Sequence, residues 1–97
     1  MKKLKEIKIS RFHLDVLLNN EEKEGFGYLL KHGVHCYRCN SICTGVLNYT
    51  ISLNWLNDIV VKGKCAACGR KVARIMEFGE KRDFFEKAMD FREALQN

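Results

Sequence analysis

The chain has 97 residues, of which 46% are apolar and none is proline, and a formal net charge of +5. That is enough for one small domain with a modest core, and the longest apolar runs fall far short of the roughly 20 residues of a membrane-spanning helix. The composition excludes collagen-like, low-complexity and solenoid architectures, and the basic N-terminus lacks the hydrophobic segment of a secretory signal, so a cytoplasmic, reducing location is expected.

The charge is uneven. Residues 1–11 sum to +4, residues 12–35 to −2, residues 36–74 to +5 and residues 75–97 to −2. Positive charge therefore gathers on the N-terminal arm and in the middle of the chain, a distribution that suits an anionic partner.

Taken in order, residues 1–9 alternate charge with Leu4, Ile7 and Ile9, a pattern open to a short strand, a first helical turn or an arm. Ser10 is an N-cap for a helix through Leu18, with Leu14, Leu17 and Leu18 on one side. A second helix begins at a cap on Asn20. Glu21, Glu22 and Glu24 complement the dipole of its first turn, Phe26, Leu29 and Leu30 form its buried face, and it stops at Gly33. Gly25 and Gly27 oppose it, each costing about 1 kcal/mol relative to alanine.

From Leu47 the chain alternates. Leu47, Tyr49, Ile51, Leu53 and Trp55 are apolar and the residues between them polar, which predicts a half-buried strand. Asn57-Asp58 signals a turn, Ile59–Lys64 the returning strand, and Lys71–Phe78 a third, with Val72, Arg74, Met76 and Phe78 on one face. Residues 80–96 read as an amphipathic helix with a stripe of Phe84, Ala88, Phe91 and Leu95.

The chemistry lies in two Cys-x-x-Cys pairs, Cys36/Cys39 and Cys65/Cys68, at the two ends of the predicted hairpin. In a reducing compartment clustered cysteines bind metal more often than they form disulfides, and an odd total of five disfavours a fully paired framework. A Cys-x-x-Cys turn presents two sulfurs at a tetrahedral separation, and the residue after it must tolerate positive φ. Asn40 and Gly69 occupy those positions. Four thiolates predict a structural zinc; iron in an electron-transfer site is the alternative metal. Cys43 reads as a small buried residue, although it and His35 remain alternative ligands. His13 and His32 read as surface or capping residues. A closed four-thiolate shell leaves no open coordination position, so no enzymatic activity is expected.

These features resemble a zinc ribbon over roughly residues 36–78, from C-Y-R-C-N through the hairpin to C-A-A-C-G-R-K and a third strand. The resemblance implies Cys36, Cys39, Cys65 and Cys68 as ligands and a three-stranded antiparallel sheet. It allows either nucleic-acid or protein contact. The expected whole is a single α+β domain: a basic arm and helical segment over 1–35, the ribbon over 36–78, and a C-terminal helix over 79–97. Two functions compete. One is an interaction or adaptor module docking a protein partner through its apolar helix faces. The other is nucleic-acid binding through Lys62, Lys64, Arg70, Lys71 and Arg74, with Tyr37 or Tyr49 stacking on bases.

Overall fold

The computed structural model describes residues 4–96. Strand β1 (Ile7–Ile9) leads through the Ser10 cap into α1 (Arg11–Leu17), followed by α2 (Asn20–His32). Two short strands, β2 (His35–Cys36) and β3 (Ser41–Ile42), frame the first cysteine pair. The hairpin β4 (Val46–Leu53) and β5 (Ile59–Cys65), then β6 (Lys71–Met76), a 3₁₀ turn at Phe78–Glu80 and α3 (Arg82–Gln96) complete the chain. The main sheet is antiparallel in the order β1-β4-β5-β6, and β2-β3 form a separate ribbon. The α+β class is as expected, with one strand more in the main sheet: Ile7, Lys8 and Ile9 pair with Leu53, Ser52 and Ile51.

Local chemistry accounts for the helix starts. The Ser10 hydroxyl accepts from the His13 backbone and His13 Nδ1 accepts from the Ser10 backbone, each at 3.1 Å. The cap of α2 is Asn19 rather than Asn20, because Asn19 and Glu22 exchange the same reciprocal pair at 2.8 and 2.9 Å. Gly33 closes α2 by donating its N–H to Leu29 at 2.7 Å, with φ of −116° rather than the left-handed value of a glycine stop. The third strand ends at Met76, two residues early, and α3 begins at Arg82, because the 3₁₀ turn occupies Phe78–Glu80.

All three helices lie on one face of the sheet. Leu14, Leu17, Phe26, Phe84 and Ala88 pack there against Ile9, Ile51, Leu53, Ile59, Val61 and Met76. Buried Arg92 ties α3 to the opposite end of the β4–β5 hairpin from the cysteines. It donates to Asn57 Oδ1 at 2.7 Å, the Asn54 carbonyl at 2.6 Å and the Lys5 carbonyl at 2.5 Å. Burial holds its pKa below the usual value.

The alternation of β4 does not run unbroken. Val46 and Leu47 oppose Cys65 and Lys64, but Thr50 already opposes Lys62, so an extra residue bulges between them, with Asn48 at φ of 50°. The bulge turns Leu47 to the outer face, where it is exposed, and brings Val46 to the inner face beside Cys65. Trp55, also expected inside, lies beyond the strand end and is exposed.

Candidate metal centre

Each cysteine pair sits in a tight reversal. The first lies between β2 and β3, closed by Asn40 at φ of 54°; the second lies between β5 and β6, closed by Gly69 at φ of 78°. In the second, Gly69 donates to the Cys65 carbonyl and Cys65 to the Arg70 carbonyl, both at 2.8 Å. Cys43 donates to the Val34 carbonyl at 2.7 Å, closing the base of the first reversal, and Ala66 donates to the Gly45 carbonyl at 2.9 Å, tying the second reversal to the segment that leads out of the first.

The sulfurs of Cys36, Cys39, Cys65 and Cys68 all lie within 4.8 Å of one another, positioned to hold a metal ion. Cys36 and Cys68 are 3.5 Å apart, Cys39 and Cys65 3.9 Å. Tetrahedral metal–thiolate bonds of about 2.3 Å separate their sulfurs by about 3.8 Å, so the set is at coordination spacing.

The electrostatics have the same sense. The Cys36 thiol is held below its ordinary value, chiefly by the Cys39 backbone N–H, with that of Arg38 adding to it and burial opposing. The Cys65 thiol is drawn down to about 6, first by the Cys68 N–H and then by that of Ala67. The backbone N–H groups of its own turn thus favour the thiolate form of the first cysteine in each pair. Cys39 is pushed up to about 12, first by its contact with the Cys68 sulfur and then by desolvation. Four sulfurs this close cannot all be anionic without a cation among them, so the donor set fits a divalent metal.

The alternative ligands fall outside the set of four. Cys43 is buried among Val34, Cys36, Cys65 and Val72, and its thiol, raised to about 11 chiefly by burial, lies beside the Cys65 sulfur but outside the set of four. His35 is exposed and packs edge-on to the Tyr37 ring at 5.1 Å. His13 is a capping residue that also packs against the Phe91 ring at 4.9 Å, and exposed His32 lies against Tyr28.

The five basic residues separate. Lys62, Lys64 and Lys71 project from the outer face, which carries no helix, and Lys64 stands directly opposite Lys71. Arg74 opposes Val61 on the inner side and donates to the Gly33 carbonyl at 2.8 Å, so it leaves the group. Arg70 is exposed at the rim of the second cysteine turn. Tyr37 is exposed at the first cysteine turn and Tyr49 is half-buried. Lys8, on the outer face of β1, was absent from the predicted set; its signal was the basic charge of residues 1–11, which became spatial only once β1 joined the sheet.

Comparison with protein-family models, curated proteins and solved structures returned no match. Among the described residues, no helix is long and apolar enough to cross a membrane.

Proposed function

We propose that the protein is a zinc-stapled, non-enzymatic module that binds nucleic acid across the helix-free face of its sheet. Zinc is the metal best suited to a closed set of four thiolates with no redox demand; iron fits the same geometry and is the alternative. With four protein ligands the ion has no place for substrate, so its role is structural.

The observation that carries the binding reading is the outer face itself. Like charges directly opposite across strands are destabilising, yet Lys64 and Lys71 face each other and neither has an ion pair among the described residues. Lys62 beside them meets only Glu6, at 3.8 Å in an exposed pair. A polyanion would neutralise this row. The competing idea, partner capture through apolar helix faces, loses the α3 stripe, where Phe84 and Ala88 are buried in the core, Phe91 is half-buried and only Leu95 is exposed, and keeps exposed Phe12, Val16 and Tyr28 on α1 and α2.

Binding of metal-loaded protein to labelled oligonucleotides across a salt series tests this reading. The triple variant Lys62→Gln, Lys64→Gln, Lys71→Gln should weaken binding and reduce the log–log salt slope by about 2–3, at about 0.7–0.9 per phosphate contact. An unchanged slope, or binding no stronger than to polyglutamate, would refute it.

A further inference from the structure

The basic row does not end at β5 and β6. Two depressions share Asn48 as a lining residue. One, of about 380 Å³, lies over Gly63 between Lys62, Lys64 and Lys71. The other, of about 610 Å³, opens between the β1–α1 junction and β4, with Lys8, Arg11 and Tyr49 among its walls. Five cations border the two depressions taken together, and no carboxylate lines either.

Their shape follows from three local facts. β1 pairs only with Ile51–Leu53, so the β4 edge from Val46 to Thr50 faces open space. The bulge at Asn48 bends that edge. Opposite the bulge, Gly63 carries no side chain. A Cβ there would meet Val46 Cγ1 at 2.6 Å and the Leu47 carbonyl at 2.9 Å, so the two strands approach closely. The Arg11 guanidinium lies over the Tyr49 ring, 6.0 Å from its centroid, and Leu47 offers an exposed apolar side chain along the way.

We infer that the two depressions together are the track of a single-stranded nucleic acid, running from Lys8 and Arg11 across the bulge to Lys62, Lys64 and Lys71, an inference that rests on the nucleic-acid reading above. Duplex is read by elements that protrude into its grooves, a helix or a two-stranded ribbon. Tyr49 itself is half-buried against the helical core, but a concave basic path with exposed Leu47 beside it takes a flexible strand, whose backbone follows the cations while its bases turn to the apolar contacts. From β1 to β6 the path crosses three strand spacings, about 14 Å, which a few nucleotides span. A peptide strand added to the β4 edge is the other occupant such a gap suggests, but the bulge and the left-handed Asn48 interrupt the ladder it would need.

The test compares full-length, metal-loaded protein with the Lys8→Gln, Arg11→Gln double variant. The probes are labelled oligo-dT and oligo-U of increasing length and a duplex of matched length. Lys8 and Arg11 are both exposed and outside the metal cluster, so the variant should keep its fold and its metal. The inference expects either single strand to bind at least tenfold more tightly than duplex. The wild-type salt slope should be about −3.5 for five contacts, falling to about −2.1 in the double variant. Duplex binding as tight as single strand, or an unchanged slope in the double variant while the Lys62, Lys64 and Lys71 variant still loses its own, overturns the track and leaves the nucleic-acid reading standing. Failure of every nucleic acid to bind overturns both.

Discussion

At one end of the sheet, twelve buried apolar residues drawn from three helices and four strands form a continuous core; at the other, the buried apolar set is Val34, Cys36, Cys43, Cys65 and Val72. Strand β5 runs from one regime into the other, from Ile59 and Val61 through Gly63 to Cys65. The helical end holds itself by removing large side chains from water, at about 25 cal/mol per Å². The cysteine end has no side chain larger than valine in its buried set, and two of its strands are two residues long. Ribbons that short do not persist alone. One end of the sheet is thus held by hydrophobic burial, and four cysteines positioned to hold a metal ion lie at the other, where the hydrophobic effect is weakest.

The largest effect should come from removing the metal. Structural zinc contributes about 10–16 kcal/mol in small domains that depend on it. Treatment with a strong chelator under reducing conditions should abolish amide-exchange protection across β2, β3 and the Cys65–Cys68 turn while α3 and the Ile7–Ile9 pairing stay protected. Simultaneous loss at both ends, or at neither, would break the two-regime picture.

A smaller effect probes the other end. Phe84 is 1% exposed at the centre of the helical core, so Phe84→Ala should cost about 3–5 kcal/mol by denaturant unfolding. Metal content should not change. A loss of metal together with stability would mean that the two ends are one cooperative unit. The smallest effect is a gain. A Cβ on Gly25 would meet nothing within 4 Å, so Gly25→Ala should stabilise α2 by about 1 kcal/mol, read as a raised Tm. A lowered Tm would show that α2 does not present this position to open space.

Much of this was readable from residue patterns. The Ser10 and Asn57-Asp58 signals, the cysteine turns with Asn40 and Gly69, and the buried side of α3 all act locally, and local chemistry survives into the fold. The losses were non-local. Ile7–Ile9 is too short for its period to distinguish strand from helix, and only the β4 edge it pairs with decides. The alternation from Leu47 to Tyr49 reads as one strand because a bulge inserts a residue without disturbing the apolar–polar rhythm, so Leu47 changes face unseen. Trp55 continues that rhythm past the strand's end. Arg74 and Lys71 look equivalent in a charge tally, but pairing sends one towards Gly33 and the other outward beside Lys64. Lys8 joins the basic face for the same topological reason.

On the proposed reading, four cysteines hold one zinc ion and thereby the cysteine end of the sheet. Native mass spectrometry of the freshly purified, reduced protein, beside the Cys36→Ser and Cys65→Ser variants, tests it most directly. One zinc per wild-type chain, and none at stoichiometric level in either variant, is the expected result. A metal-free wild-type chain, or full zinc retained without Cys36 or Cys65, would contradict it.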